Sequence, residues 1–425
     1  MTTRTLRRTS APGGPWFEFY REVCPVCGHT GGCMIHEDNN RVVCIRQASD
    51  IEWAKNSALP GFLHFLNDDS KNYDFSSGIQ YEDNPKKDEE TLNCVFNALL
   101  DCTALDLEHK EHLMGASRQL TEKQLTIRQY RSFPEKPWQV VKEVSERIGH
   151  SDFVGIPGFY LKEGKYGKYF SLSGYKGVLI PFRNHFNQII GFQYRIDEVK
   201  SYVSIRNAVP GFEAKLTVHP NIVECTLARG KIKVYKGELG KEWLTLRDRA
   251  GETIAEIKLS TGQKYFWLSS ANREGGTGAG NPAPVHISVP SEELKNWKVG
   301  NKKTARTVWL GEGALKNDIA VDKIVELYDP EELEDVGTTI IGLPGVNSWR
   351  LALPILKEMD VEVVNIAFDA DAINNPYVKQ HLFDCAKMLK SLGYSANVVL
   401  WNVNDGKGLD DLLLSYKLPL MRRLF

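Results

Sequence analysis

The sequence lacks any run of about 18 apolar residues, the length that a helix needs to cross a bilayer. Residues 1–16 are basic but are not followed by an apolar core, so a secretory signal is not expected. The sequence also lacks the Gly-Lys-Ser/Thr signature of a P-loop, which argues against a P-loop ATPase. These three absences predict a cytoplasmic protein that makes no membrane contact.

Net charge is also nearly lacking, since 53 basic residues face 54 acidic ones, and this balance alone argues against a polyanionic partner. The charge is nevertheless polarised. Residues 308–425 contain 18 acidic and 11 basic side chains, a net of −7, which leaves +6 on residues 1–307. An acidic segment beside a basic one suits a metal-dependent enzyme that acts on phosphates. Solvated faces of unrelated domains would produce the same pattern.

Four of the eight cysteines crowd into 21 residues, namely Cys24, Cys27, Cys33 and Cys44. A Cys-Pro-x-Cys-Gly turn followed by a second pair of cysteines is typical of a closed tetrahedral Zn²⁺ site. A redox pair and four ordinary buried cysteines are the alternatives. The neighbouring His29 and His36 are each able to replace one cysteine ligand. The surrounding text predicts a small zinc ribbon that depends on its metal to fold.

The remaining pattern predicts a multi-domain α+β protein of ordinary globular composition, with 42% hydrophobic and 25% charged residues. Helical periodicity with Thr121 as an N-cap follows a polar stretch, and strand-like text follows the helices. The predicted order is a zinc ribbon (16–67), a linker (68–90), a helical segment (91–150), a mixed α/β core (151–300) with a β-rich insertion (201–262), and an α/β domain (301–425).

Strands and helices alternate from residue 307 onward, which predicts a parallel sheet whose ligands gather at the carboxyl ends of the strands. Acidic residues lie at those predicted ends, namely Glu312, Asp369, Asp371, Asp410 and Asp411. Carboxylates placed so close together repel unless a cation lies between them, and hard oxygen ligands favour Mg²⁺ or Mn²⁺. The alternative is that these are ordinary helix-cap and loop acids.

Glu312-Gly313 after one strand and Asp369-x-Asp371 after another resemble the Toprim domain of primases, topoisomerases and certain nucleases. Two upstream segments occur in the same order as in bacterial replicative primases, namely GVLIPFRNHFNQIIGFQYRID and then KYFWLSS, and the predicted zinc ribbon precedes them. CPVCG, GEGALKNDIA and DGKGLDDLL resemble primase-like replication proteins of phages and plasmids. Three departures stand out: Lys316 replaces the usual acid four residues after Glu312, Ala372 and its neighbours replace a glycine, and the ribbon offers four cysteines.

The resemblance implies a DNA primase that makes short RNA primers on single-stranded DNA in a bacterial or phage-infected cell. It implies structural Zn²⁺, catalytic Mg²⁺ or Mn²⁺, nucleoside triphosphates as substrates and a separate replicative helicase as partner. It further implies a catalytic set of Glu312, Asp369, Asp371 and Lys316, with Asp410 and Asp411 as further metal ligands.

The residues that the resemblance places at the template and the nucleotide are Arg183, Arg195, Lys264 and Lys407. For the first three, exposed charges on a strand face are the alternative. Trp16 or Phe17 would either stack on template bases or form the core of the ribbon. Two other functions stay open, a Toprim nuclease and a non-catalytic replication initiator or single-strand-binding accessory.

Overall fold

The computed structural model describes residues 6–9, 11, 15–26, 29–45, 52–53, 61–65, 84–199, 201–227, 232–271, 273–280, 283–370 and 376–425. The chain forms two compact units, one of residues 195–266 and one of the residues on either side. None of the helices in these ranges combines the length and hydrophobicity required to span a membrane.

The N-terminal region is an antiparallel sheet whose strand order is β1-β2-β3-β4-β6-β5. Its strands are β1 (Arg7–Arg8), β2 (Trp16–Glu18), β3 (Met34–His36), β4 (Arg41–Cys44), β5 (Glu52–Trp53) and β6 (Gly61–Phe65). Trp16, Val43 and Leu63 are fully buried in one small core, and the cysteines lie in a second one. Two cores this small bury little apolar surface.

Four helices and a short strand follow, namely α1 (Glu89–Asp101), α2 (Leu107–Met114), α3 (Glu122–Arg128), β7 (Arg131–Ser132) and α4 (Pro137–Ile148). The predicted N-cap at Thr121 is confirmed, because its side chain accepts a hydrogen bond from the backbone of Gln124 in a capping box. Asp88 caps α1 by accepting a hydrogen bond from the backbone amide of Thr91.

The predicted linker (68–90) is described by the structure only in its last part. Residues 68–83 lie outside the described residues, but residues 84–88 pack on the domain core. The Lys86 Nζ donates to the backbone carbonyl of Ala279 (3.1 Å), and the Lys87 amide donates to that of Gly155 (3.0 Å). These hydrogen bonds are non-local, so the polar sequence did not reveal them.

The predicted hairpin and the third strand, β18 (Tyr265–Trp267), are present in a sheet of order β18-β11-β10-β7. The strands between residues 159 and 196 are β8 (Phe159–Gly164), β9 (Gly167–Leu172), β10 (Gly177–Arg183) and β11 (Ile189–Ile196). β8 and β9 form a separate two-stranded sheet. Every residue of β10 is buried, which makes it the central strand of this region.

The unit of residues 195–266 consists of two three-stranded antiparallel sheets with orders β12-β17-β16 and β13-β14-β15. Its strands are β12 (Ser201–Arg206), β13 (Glu213–Val218), β14 (Ile222–Leu227), β15 (Ile232–Glu238), β16 (Leu244–Arg247) and β17 (Thr253–Thr261). Buried residues from both sheets, including Val223, Leu246 and Ile257, share one apolar core. The predicted β-rich insertion therefore has a core of its own.

The C-terminal domain is a mixed six-stranded sheet of order β19-β21-β20-β22-β23-β24. After β18 (Tyr265–Trp267), its strands are β19 (His286–Ser288), β20 (Thr307–Glu312), β21 (Thr339–Leu343), β22 (Val363–Ile366), β23 (Ser395–Leu400) and β24 (Leu420–Arg423). The four strands predicted from the alternating pattern are parallel to one another, and the unpredicted edge strands β19 and β24 are antiparallel to them.

The helices of this domain are α5 (Ser291–Asn296), α6 (Ala314–Leu327), α7 (Pro330–Val336), α8 (Ala352–Glu358), α9 (Pro376–Ser391) and α10 (Leu409–Leu414). Short 3₁₀ helices span Val346–Leu351 and Val403–Asp405. Two apolar clusters, which include the buried Trp349 and Trp309, hold the helices against the sheet. The carboxyl ends of β20 and β22 are adjacent, so their following loops meet at one edge of the sheet.

Candidate active site and cysteine cluster

Two of the predicted acids meet at the carboxyl ends of β20 and β22. Glu312 is the last residue of β20, and Asp369 follows β22 by three residues. The backbone amide of Asp369 donates to Glu312 Oε1 at 3.4 Å. Both side chains are half-buried, so the pair is shielded from bulk water but not sealed from a ligand.

Lys316 brings a positive charge to the same place from the first turn of α6. Gly313 allows the chain to turn directly from β20 into α6, because its φ of 78° is strained for residues that carry a Cβ. The Lys316 Nζ donates to both oxygens of Asp369, at 3.0 and 3.1 Å. Burial lowers the pKa of Lys316, but attraction from Asp369, Asp410 and Glu312 outweighs it, and the pKa is raised.

Asp410 completes the cluster from the first turn of α10 and is fully buried. Its Oδ2 accepts a hydrogen bond from Nη1 of Arg118 at 2.9 Å, whereas its Oδ1 has no hydrogen-bond partner in the described part of the chain. Burial, aided by repulsion from Asp411, raises the pKa of Asp410 to about 6. A carboxylate oxygen that is buried without a partner is costly, which points to a cation as its missing partner.

The backbone at Gly408 approaches this cluster closely. A Cβ placed there would lie 2.4 Å from Oδ1 of Asp410 and 3.2 Å from Nζ of Lys316. Gly408 itself has an ordinary φ of −95°, so its lack of a side chain matters for space and not for backbone freedom. A larger residue would therefore displace the carboxylate and the ammonium group from each other.

The remaining predicted residues of this region have different surroundings. Asp411 is exposed, and its Oδ2 accepts from the amide of Gly408 (3.1 Å), so it caps α10. Lys407 is exposed, and its backbone carbonyl accepts from the amide of Ala370 (3.0 Å), which ties the loops after β22 and β23 together. Asp371 lies outside the described residues.

The residues present fit a divalent cation. Glu312, Asp369 and Asp410 supply hard oxygen donors of the kind that Mg²⁺ and Mn²⁺ prefer. The buried Oδ1 of Asp410 has a lone pair for which the described protein atoms provide no donor. Lys316 and Arg118 neutralise part of the negative charge, so the cluster does not need several ions to be stable.

Arg118 is a site residue that sequence reasoning missed. It lies in the turn between α2 and α3, 292 residues before Asp410 in the chain, and no local motif marks it. Its partner identifies it only when the helical segment is packed against the C-terminal domain. Arg118 is the single charged residue of that turn, GASRQLT, so the sequence offered no signal of this role.

Asp318, two residues after Lys316, belongs to a separate buried network. It accepts hydrogen bonds from Arg128 Nη1 (2.8 Å), Tyr130 Oη (2.6 Å) and His286 Nε2 (3.1 Å). Burial opposes its charge, but Arg128 and His286 hold the pKa of Asp318 well below its usual range. Its carboxylate therefore joins α6 to the helical segment and to β19 instead of contributing to the cation cluster.

The sequence predicts that Arg183 contacts nucleic acid, and the structure places this side chain in a buried network. Its side chain is buried, and it donates to Asn187 Oδ1 (3.0 Å) and Gln129 Oε1 (2.5 Å). Burial lowers the pKa of Arg183 to about 10. Both faces of β10 are covered, so the guanidinium group has no path to a ligand without breaking these contacts.

Arg195 and Lys264 belong to the unit of residues 195–266. Arg195 is half-buried near the end of β11, and Lys264 is exposed immediately before β18. The backbone beside them is ordered, since the amide of Ile196 donates to the carbonyl of Lys264 (2.9 Å). Their role in binding nucleic acid stays a prediction.

The second candidate site is a cluster of cysteines in the N-terminal sheet. The sulfur atoms of Cys24, Cys33 and Cys44 lie within 4.8 Å of one another, and all three residues are buried. A side-chain hydrogen bond with Cys24 and burial raise the pKa of the Cys33 thiol. Three thiols so arranged fit a tetrahedral metal site. Cys27, the predicted fourth ligand, lies outside the described residues.

Neither alternative histidine belongs to this cluster in the described residues. The ring of His36 contacts Arg41 Nη2 (2.7 Å) and Asp38 Oδ2 (3.0 Å), and it packs edge-on against Trp16. His29 is exposed, and its backbone carbonyl accepts from the amide of Cys24. Trp16 is fully buried and forms the core of the ribbon, which is one of the two roles that the sequence left open for it.

Comparison with known proteins gives a family match over part of the chain. Residues 297–417, which contain the carboxylate cluster, match the family described as a domain of unknown function, DUF3854. No curated protein matches the sequence.

Among solved structures, the chain is similar to the zinc-binding and RNA polymerase domains of the Aquifex aeolicus primase, with 11% identity, 98% of this chain and 82% of that chain covered, and a TM-score of 0.42. The chain is also similar to the RNA polymerase domain of the Mycobacterium tuberculosis primase DnaG. The identity is 13%, 77% of this chain and 80% of that chain are covered, and the TM-score is 0.42. A third similar structure is a DnaG primase catalytic domain bound to single-stranded DNA. The identity is 10%, 78% of this chain and 80% of that chain are covered, and the TM-score is 0.38.

Proposed function

We propose that the protein is a primase-like nucleotidyltransferase that makes short RNA primers on single-stranded DNA. The observation that carries this proposal is the meeting of Glu312 and Asp369 at the ends of adjacent parallel strands, with Asp410 beside them. The sequence resemblance to Toprim primases involves the same residues. The zinc-ribbon motif and the order of the strands before the Toprim-like domain supply independent support.

The carboxylates of Glu312, Asp369 and Asp410 would hold one or two Mg²⁺ or Mn²⁺ ions, with Asp371 as a further ligand. A bound divalent ion supplies charge neutralisation for the incoming triphosphate and for the pyrophosphate that leaves. Glu312, by resemblance, would accept the proton of the attacking 3′-hydroxyl. Its place at the rigid end of a buried strand holds that acceptor in one position.

Lys316 and Arg118 would bind phosphate oxygens of the nucleotide. Lys316 holds Asp369 in the structure, and Arg118 holds Asp410, so each cation is already fixed within reach of a carboxylate. The protein holds both cations in place before the reaction, so stabilising the charge of the triphosphate would cost no reorganisation during the displacement.

The N-terminal cysteines would hold a structural Zn²⁺, and the ribbon would contact the template. The cellular setting, a bacterial or phage-infected cytoplasm with a phage- or plasmid-type replication system and a separate helicase, belongs to this proposal as well.

A primer-synthesis assay tests the function. Purified protein is incubated with single-stranded DNA, the four nucleoside triphosphates and Mg²⁺, and labelled products are resolved on a denaturing gel. We expect short RNA products that require the template and disappear with EDTA. If a parallel incubation with plasmid DNA and Mg²⁺ gives nicked plasmid and the primer assay gives no primers, the protein is a nuclease instead. Template binding without either product would establish a non-catalytic replication accessory.

A further inference from the structure

The unit of residues 195–266 carries a sheet face that its apolar core does not use. Side chains alternate between the two faces of a strand, and in this sheet Val203, Ala255 and Ile257 point toward the core. The opposite side, here called the outer face, is formed by the alternating residues of β12 and β17 and those at the start of β16, namely Tyr202, Ser204, Arg206, Trp243, Thr245, Glu256, Lys258 and Ser260.

Two aromatic rings lie on this outer face. Trp243 is half-buried immediately before β16, and Tyr202 is half-buried on β12. Neither ring belongs to the apolar core that the described residues of this unit form. Large rings outside a core expose apolar surface to water, which a folded protein tolerates most readily where a ligand covers them.

Two cations flank the Trp243 ring. The guanidinium carbon of Arg206 lies 4.1 Å from its centroid, and Nζ of Lys258 lies 4.8 Å away. Arg206 is also held by Glu256 (Nε to Oε2, 2.9 Å), the acidic residue among the eight that form the face. The two cations are therefore held beside the ring although the Arg206 side chain is 48% exposed, and the face keeps a positive balance.

We propose that this outer face binds a segment of single-stranded nucleic acid. Bases stack on aromatic rings without sequence preference, and fixed cations beside the rings contact the phosphates between them. The hydroxyl groups of Ser204 and Ser260 form a hydrogen bond with each other (2.7 Å), which uses one of their two protons and leaves the other for a ligand. The inference rests on the proposed function in one respect, because a primase binds single-stranded DNA as its template and makes an RNA product.

The test measures binding of the full-length chain to fluorescein-labelled oligo(dT) and oligo(rU) by fluorescence anisotropy over a range of KCl concentrations. Trp243→Ala should weaken binding about 5- to 100-fold, the loss expected for one stacked base. The Arg206→Ala, Lys258→Ala double variant should lower the salt slope by about 1.4, or about 0.7 for each phosphate that is no longer neutralised. Stronger binding of one oligomer assigns the face to template or to product.

Matched variants separate the outer face from general effects. Lys215→Ala, Lys236→Ala removes the same charge from the other sheet of the unit, and Trp138→Ala removes an exposed Trp from α4. Both should bind as wild type does. Trp243→Phe should recover most of the affinity because it restores a ring. Unchanged binding by Trp243→Ala with a native circular dichroism spectrum, or an equal loss in the matched variants, would overturn the inference.

Asp369→Asn distinguishes this inference from the proposed function. It should abolish primer synthesis and leave oligonucleotide binding unchanged, since the outer face does not include the carboxylate cluster. If Asp369→Asn keeps synthesis, the assignment of the active site fails, and if wild type makes no primers, the proposed function fails. In either case the binding face is judged on its own variants. If the outer-face variants keep full binding while Asp369→Asn loses synthesis, the inference about the outer face fails and the proposed function does not.

Discussion

Replacing Asp318 by Asn should destabilise the C-terminal domain strongly. The Asp318 side chain is 4% exposed and that of its partner Arg128 is 2% exposed, so the substitution removes one of the two carboxylates that pair with a buried guanidinium group and leaves Asp322 (2.8 Å) as the other. Removing one partner of a buried, hydrogen-bonded ion pair costs about 3–5 kcal/mol. Asn preserves the shape of the side chain, which confines the effect to charge and hydrogen bonding.

The cost is measured as the change in the free energy of unfolding in urea, with hydrogen exchange in α6 and β19 as a local readout. Asp360→Asn is the matched control. It removes the partner of Lys302 from an exposed ion pair (2.9 Å) and should cost less than about 1 kcal/mol. If Asp318→Asn costs no more than this control, the network does not join the helical segment to the sheet as argued.

Three further predictions follow from other groups. The depressed pKa of Asp318 implies stabilisation that is present above its ordinary value of 3.8 and lost as the pH falls through the lower folded value, so the difference in melting temperature between wild type and Asp318→Asn should shrink below about pH 4. Cys33→Ser should reduce the zinc measured by atomic absorption to well below one ion per chain. Gly408→Ala should lower primer synthesis at least 10-fold by crowding Asp410, whereas Gly240→Ala, where a Cβ meets nothing within 4 Å, should leave it unchanged.

The part of the fold that the sequence predicts well is the part where local pattern and tertiary structure agree. The parallel strands around β20 are apolar along their whole length because both faces are covered, and the helices between them show a 3.6-residue period. The meeting of Glu312 and Asp369 followed from the rule that parallel strands bring their carboxyl ends to one edge.

The features that the sequence did not reveal depend on contacts between distant segments. Arg183 ends an apolar strand and looks exposed by alternation, but Gln129 from the helical segment covers it. Arg118 has no motif, because its role comes from a partner 292 residues away. The acid-rich α7 is an exception to this rule. Its start at Asp329 and Pro330 is a local signal for a helix.

The most direct test of the central claim compares template-dependent primer synthesis by wild type, Glu312→Gln, Asp369→Asn and the control Asp360→Asn. Loss of a group that holds the metal or accepts the proton should lower the rate at least about 100-fold, which corresponds to about 3 kcal/mol of transition-state stabilisation. Asp360→Asn should retain full activity. Primer synthesis at the wild-type rate in either Glu312→Gln or Asp369→Asn would contradict the assignment of this cluster as the active site.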